Sequence, residues 1–359
     1  MGPAMRSTLP RRFYADPDFY RAELERFYFD RWICAGRADQ IPNAGDYFTR
    51  TIGDESVIVS RDASGSARAF FNVCRHRGTR ICEAADGHFA GRIQCPYHAW
   101  TYDLDGTLLA APHMPPDFCR DDYPLKRAGC TVWEGHVFVF LRPSPSDLPD
   151  LPDLPDFSPY AMADLRLGRR IVYDVHANWK LIVLNYNECL HCPLIHPALN
   201  RLHHYLGADN AEPTADYCGG AMGFNPGVET MSVDGKRRRP FLPGLNGAQR
   251  QQVVYYSIYP NLLLSLHPDY LLTHTLWPRA HDRTEIVCEW HFHRDVIGAA
   301  GFQMDDVVEF WDTTNREDWR ISELSQLGIQ SRAYEPGPYS MREALLWSFD
   351  EIVRRSAGS

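Results

Sequence analysis

With 359 residues the chain has room for about two or three domains with cores of their own. Its 44% hydrophobic, 23% charged and 13% aromatic residues exclude a disordered or fibrous protein, and a formal net charge of −9 excludes a nucleic-acid scaffold, which would present a basic face. No apolar run reaches the ~20 residues of a membrane span, and the N-terminus has no apolar stretch followed by a small-residue cleavage site, so a cytoplasmic location is expected. In that compartment thiols stay reduced, so the ten cysteines, beside fifteen histidines, read as metal ligands or packing rather than as a disulfide framework.

Arg11 to Arg31 carries turn residues and then Phe19, Leu24, Phe27 and Tyr28 at roughly helical spacing, which predicts one N-terminal helix. From Trp32 to Leu141 short runs such as Ser56–Val59 and His136–Leu141 alternate with Gly, Asp and Asn turns, the texture of a small antiparallel β domain. Arg142 to Tyr160 (RPSPSDLPDLPDLPDFSPY) repeats Pro and Asp without an amphipathic period and reads as an extended connection. Beyond it the pattern predicts a strand near Arg170–Val175 and a helix from about Trp179 to Leu190. Strands follow at Val253–Ser265, Tyr270–Pro278 and Glu285–His293, and a long helix runs from about Phe302 to Leu327. The expected division is an N-terminal helical segment (1–31), a β domain (32–145), a Pro-rich linker (146–160) and an α+β domain (161–359).

Two constellations carry chemistry. Cys74-Arg75-His76 and Cys95-Pro96-Tyr97-His98 each supply one sulfur and one nitrogen from a strand–turn setting. Two thiolates and two imidazoles suit a structural zinc. They also suit a [2Fe–2S] centre with two Cys on one iron and two His on the other. The second constellation is Glu188, His191 and His196 in NYNECLHCPLIHP. On an unbroken helix residues five apart point about 140° apart, but Pro193 lies between the histidines and interrupts it, so both can serve one ion.

A carboxylate for that ion must come from elsewhere, and the long C-terminal helix offers Asp312 and Asp318. On a helical wheel Val307, Phe310, Trp311, Ile321 and Leu324 form the apolar face, with Val308 and Trp319 at its edge. Asp318 falls about 20° from its centre and Asp312 about 140° away. A core-facing carboxylate needs a cation, whereas Asp312 can pair with Arg316 one turn on. Asp318 is therefore the expected ligand and Asp312 the fallback.

The stretches NVCRHRGTR (Asn72–Arg80) and CPYHAWTYDLDG (Cys95–Gly106) resemble the Rieske non-heme iron oxygenases, catalytic α subunits, whose signature is C-x-H-R-G followed by C-P-x-H-x-W. The resemblance extends to D/E-x2-H-x4-H at Glu188–His196 and to E-D then E-x2-Q at Glu317, Asp318, Glu323 and Gln326. It implies an α+β fold: an antiparallel β cluster domain, then a helix-grip-like catalytic domain with an antiparallel sheet and a long C-terminal helix. It implies a Rieske [2Fe–2S] cluster on Cys74, His76, Cys95 and His98, and a mononuclear Fe(II) on His191, His196 and Asp318. Asn185 matches an asparagine near that iron. Glu188 matches the acidic residue that links an iron histidine to a cluster histidine, here His98 or its partner His76, of a neighbouring subunit. Most of the family has Asp there, and Glu resembles the branch acting on carnitine and glycine betaine.

No G-x-G occurs in the chain, hence no dinucleotide fingerprint. Electrons must come from another chain, and the resemblance implies an NAD(P)H-dependent flavin/iron–sulfur reductase, directly or through a ferredoxin, with a homotrimeric ring of subunits. Lys236–Arg239 (KRRR), the one compact basic run, is a candidate docking patch for that donor as well as an ordinary solvated loop. The expected function is a terminal oxygenase that uses O2 to hydroxylate or N-demethylate a small substrate, a quaternary ammonium compound in the nearest branch. Alternatives are oxidation of an aromatic or carboxylated ring, and an electron-transfer Rieske protein without oxygenase activity. Tyr255, Tyr256, Tyr259, Trp277 and Trp290 lie on expected strands and read as core first, as a cation–π cage second.

Overall fold

The computed structural model describes residues 6–142 and 148–358, and the chain divides into two compact units. One is Phe29–Pro152; the other combines the chain up to Tyr28 with that from Asp153 onward.

The smaller unit is built from β1 (Ile33–Arg37), β2 (Asp46–Ile52), β3 (Glu55–Arg61), β4 (Ala67–Phe71), β5 (Asp86–His88), β6 (Ile93–Gln94), β7 (Thr101–Tyr102), β8 (Leu108–Ala110), β9 (Arg127–Trp133) and β10 (His136–Phe140). Seven strands pair antiparallel in the order β1-β10-β9-β4-β3-β2-β5, and β6-β7-β8 form a second small sheet. The expected runs fall in β3 and β10. Both are buried almost continuously rather than alternately, because both faces of the sheet are covered. The second sheet folds back tightly: Gly106 turns β7 into β8 at φ +90°, and a Cβ there would meet Phe70 at 2.5 Å.

The N-terminal segment clusters with the larger unit and is not one helix over 11–31. It consists of α1 (Arg12–Ala15), α2 (Pro17–Glu23) and a π-turn at Leu24–Tyr28. Pro17 has no N–H to continue α1, and Asp16 caps the new start by accepting from Asp18 and Phe19 N–H at 2.8 and 3.3 Å. The buried Glu23 receives Lys180 Nζ and Trp179 Nε1, each at 2.8 Å, which pins this segment to the unit's core. Of the expected linker, residues 146 and 147, like the adjacent 143–145, lie outside the described residues. From 148 to 157 the chain has no regular structure.

The larger unit continues with β11 (Leu165–Val175), α3 (Trp179–Tyr186), α4 (Cys192–Ile195), β12 (His203–Asn210), β13 (Tyr217–Phe224), β14 (Gln252–Ile258), β15 (Leu262–Leu266), β16 (Leu271–Ala280), β17 (Arg283–His293), α5 (Arg294–Ile297), α6 (Asp305–Gln330) and α7 (Ala344–Ser356). Its antiparallel sheet runs β11-β17-β16-β15-β14-β13-β12, with α6 packed on β11 and α3. The single strand expected over Val253–Ser265 is two, β14 and β15, separated by a turn at Tyr259–Asn261 where Pro260 cannot donate to a ladder. β12 and β13 leave no readable mark in the sequence, since Gly219, Gly220 and Gly223 dilute any alternation. No described helix is long and apolar enough to cross a membrane.

Two expectations about charge and packing change. Arg239 of the basic run is buried, with Nε 2.9 Å from Asp269 and Nη1 2.6 Å from Asp306. Arg238 pairs with Asp234 at 2.8 Å, and Lys236 Nζ donates to Gly227 O at 2.8 Å. Arg239 is thus an internal staple, while Lys236 and Arg238 stay exposed. On α6 Leu324 is 51% exposed, and the buried stripe instead runs through Val307, Trp311, Asn315, Ser322, Gln326 and Ile329. Two of its polar members, Asn315 and Gln326, have partners. Asn315 Oδ1 accepts from His274 Nε2 at 3.0 Å, and Gln326 Oε1 accepts from the buried Asn178 N–H at 3.0 Å.

Candidate metal centres

In the smaller unit Cys74 follows β4 and Cys95 opens the β6–β7 loop. The loops close alike: Cys74 N donates to Thr79 O (2.8 Å) and Gly78 N to Cys74 O (3.1 Å), while Cys95 N donates to Trp100 O (2.9 Å) and Ala99 N to Cys95 O (3.2 Å). In each loop the residue four after the cysteine turns left-handed, Gly78 at φ +75° and Ala99 at φ +54°. Asn72 anchors the first loop from inside: its Oδ1 accepts from Ile81 and Cys82 N–H, both at 2.9 Å. That amide belongs to the motif, but the motif does not reveal its role.

Both thiols are buried, at 2% and 3% exposure, and Cys74 Sγ lies 3.5 Å from Tyr102 Oη. The imidazoles sit further out, His76 exposed and His98 half-buried, with ring centres 4.8 Å apart and His76 stacked on Trp100. Burial pushes the Cys95 thiol up, while the Tyr97 and His98 backbone N–H groups pull the other way, donors that suit a metal-bound sulfur. The four donor atoms do not gather within 4.8 Å of one another, which one tetrahedral zinc would require. Thiols inside and imidazoles outside fit a two-iron cluster with one ligand type on each metal.

In the larger unit α3 ends at Tyr186, earlier than expected, so Glu188 stands on a loop and not on a helix. The chain resumes helix as α4, where Pro193 is tolerated in the first turn. His191 and His196 bracket that single turn, and His196 leaves helical geometry (φ −119°, ψ 67°), which removes the divergence an unbroken helix would impose. Around His191 the thiols are not free: Cys189 and Cys192 form a disulfide, against the expectation of reduced cysteines. The Cys192 N–H donates to Cys189 O at 3.1 Å, a turn that brings the two sulfurs into bonding reach.

Every imidazole nitrogen of this pair faces a carboxylate. His191 Nδ1 lies 2.5 Å from Glu188 Oε1 and its Nε2 3.3 Å from Asp318 Oδ1. His196 Nδ1 lies 2.7 Å from Glu317 Oε2 and its Nε2 2.8 Å from the same Asp318 oxygen. Among the described residues, His191, His196 and Asp318 alone form a His/Cys/Asp/Glu group whose ligand atoms all lie within 4.8 Å of one another. Burial works to lower the His191 pKa, but the hydrogen bonds to Asp318 and Glu188 outweigh it and raise it to about 9. His196 is raised in the same way, and Asp318, which burial would push up, is held below its usual range by the two histidines. Two imidazoles with one carboxylate make the open face used by non-heme Fe(II). Asp312 is elsewhere engaged, accepting from Tyr173 Oη at 2.7 Å and Arg316 Nε at 3.1 Å, so the fallback falls away.

A cavity of about 370 Å³ opens onto His191, His196 and Asp318. Asn185 and Glu188 line it, as does Tyr255 alone of the five strand aromatics singled out; Tyr256, Tyr259, Trp277 and Trp290 are packed in the core. Tyr186, Trp311 and the neutral His203, whose pKa burial lowers to about 4, also line it, and no sequence pattern marks them.

The two arrangements on one chain point to the class of iron–sulfur-dependent oxygenases. Residues 31–133 match the Rieske [2Fe-2S] domain and residues 162–359 the ring hydroxylating alpha subunit (catalytic domain), and the chain belongs to that family of oxygenase α subunits. It is thus an oxidoreductase subunit carrying a Rieske cluster and a mononuclear iron, supplied with electrons by a separate reductase. The zinc-protein and pure electron-carrier readings fall with this.

Among its relatives, the glycine betaine monooxygenase oxygenase subunit of Pseudomonas aeruginosa is 32% identical, over 93% of this chain and 85% of the relative. That of Chromohalobacter salexigens is 33% identical, over 93% and 82%. The quaternary ammonium Rieske monooxygenase CntA shares the fold at a TM-score of 0.81, with 23% identity over 99% of this chain and 97% of that one.

Proposed function

We propose that the chain oxidises an N-methyl group of a small quaternary ammonium compound, with Cys74, Cys95, His76 and His98 holding the cluster and His191, His196 and Asp318 the mononuclear iron. The carrying observation is the cavity that ends at those three residues. Tyr186, Tyr255 and Trp311 line it, and two of these turn their polar atoms away: Tyr186 Oη donates to Leu264 O at 2.8 Å and Trp311 Nε1 to Tyr270 Oη at 2.7 Å. Ring surface is left for a methylammonium cation. Glu188 and Asp318 are the acids of the lining, and Arg342 is its one lysine or arginine among the described residues. The relatives act on glycine betaine by name.

Iron at this site would supply the reductive activation of O2, using electrons passed from the cluster. The residues of the chain hold the cation against the aromatic walls and aim one methyl group at the three ligands. One oxygen atom enters that C–H bond; the other leaves as water, taking two electrons and two protons. The N-hydroxymethyl group then releases formaldehyde and a proton, so the net result is demethylation.

We also propose that cluster and iron meet across copies in a homotrimer, through Glu188. Exposed apolar side chains support such a contact, with Leu190 and Leu194 beside Glu188 and Tyr97 beside His98. Reductase-coupled O2 uptake should be measured with glycine betaine, carnitine, choline and aromatic acids, together with formaldehyde and light scattering. Uptake with formaldehyde is expected for quaternary ammonium compounds. Uptake confined to aromatic acids would overturn the substrate reading, and a monomer at full activity would overturn the trimer.

A further inference from the structure

We propose that Glu317 is the positioning residue of His196, the counterpart on α6 of Glu188 on His191. The inference rests on the metal-centre reading above and adds a residue to which that reading gives no role.

The geometry is that of a clamp. His196 is 1% exposed, and Glu317 and Asp318, consecutive on α6, take opposite edges of its ring: Glu317 Oε2 at 2.7 Å from Nδ1 and Asp318 Oδ1 at 2.8 Å from Nε2. An ionised carboxylate can only accept, so the hydrogen of a neutral His196 held by Glu317 sits on Nδ1 and Nε2 keeps its lone pair for a metal. The same logic holds for His191, whose Nδ1 faces Glu188.

The two arms differ in origin. Glu188 is three residues from its histidine, whereas Glu317 is 121 residues from His196 and lies on a different element. The backbone of His196 is outside helical geometry, so helix packing does not orient its ring. Glu317 fixes that orientation and couples the α4 turn to the helix that supplies Asp318. The competing reading is a half-exposed surface glutamate that merely touches the ring; its side chain is 35% exposed. The two readings differ in what they do to a bound metal.

The experiment uses the full chain with its cluster in place, under anaerobic conditions. Glu317→Ala and Glu317→Gln are compared with wild type and with Glu309→Gln, an exposed control on the same helix. Fe(II) release to a chelator and the EPR spectrum of the ferrous nitric-oxide adduct are the readouts. Glu317→Ala is expected to weaken Fe(II) binding about 10- to 100-fold and shift the nitric-oxide signal. Glu317→Gln, whose carbonyl can still accept from Nδ1, should recover part of the loss. Cluster EPR and the control should not change. If Glu317→Ala fails to fold, Glu317→Gln carries the test through the shifted adduct spectrum. Wild-type iron retention and spectra in the folded Glu317 variants overturn the inference alone, whereas a wild-type chain that holds no Fe(II) overturns the metal-centre reading and this inference with it.

Discussion

The two candidate centres are built in opposite ways. In the smaller unit the ligands come from two short loops, each closed by its own backbone hydrogen bonds, with sulfurs inside and imidazoles outside. In the larger unit the ligands converge from a loop and from α6, more than a hundred residues on, and each imidazole nitrogen meets a carboxylate. Local closure leaves the two imidazoles further out than the thiols, where the proposed cluster would exchange electrons. Long-range convergence makes one whose ligands are oriented by the whole domain, with a cavity in front for substrate.

The sharpest way to break this contrast is to remove one ligand on each side. Asp318→Ala should abolish mononuclear iron and turnover while leaving the cluster EPR intact, and Cys74→Ser should do the reverse to the metals. Iron and sulfide analysis checks both, and a variant that loses both metals would mean the centres are not independently built. Asp312→Ala, which removes an acceptor for Tyr173 and Arg316, should keep its iron.

Glu188→Gln removes a charge but not the backbone turn, and is expected to slow reductase-coupled turnover about 10- to 100-fold with iron largely retained. An equal loss of iron would reduce Glu188 to a binding role. pH sharpens the comparison further. Metal-free His191 holds its proton up to about 9, because the bonds to Asp318 and Glu188 outweigh burial. Iron must displace that proton, and with it any on His196, so its apparent affinity should rise at least about tenfold per pH unit from about pH 7 to about pH 9 and then level off. By the same sign the metal-free fold loses the stabilisation from protonated His191 as pH rises through about 9, which thermal unfolding of the apo chain would register. The smallest effect is expected at Leu324→Ala: at 51% exposure it should change stability by no more than about 0.5 kcal/mol, against the several that the core position given by the wheel would imply.

Much of the chemistry is legible in the chain's local patterns. The cysteine and histidine pairs and the Glu188–His196 motif are short patterns read through their resemblance to a family, and the choice of Asp318 over Asp312 follows from one helical period. Periodicity also finds the core strands and α6, because a buried face leaves a repeating apolar mark. It fails at Leu324, because the buried stripe there runs through Ser322 and through Asn315 and Gln326, which hydrogen bonds satisfy, and polar residues carry no apolar mark. It fails on β12 and β13 for want of alternation, and on the N-terminal segment, where Pro17 and Asp16 outweigh the helical spacing.

By itself, then, the sequence marked which side chains can ligate metal and which family they resemble, since the cysteine–histidine pairs and the Glu188–His196 stretch are each local patterns. Only the tertiary structure decided that Glu317 backs His196, that Arg239 of the basic run is spent on Asp269 and Asp306, and that Tyr255 alone of five aromatics meets the cavity. These depend on contacts between residues tens to more than a hundred positions apart, set by how α6, the sheet and its loops pack, and a local pattern does not encode them.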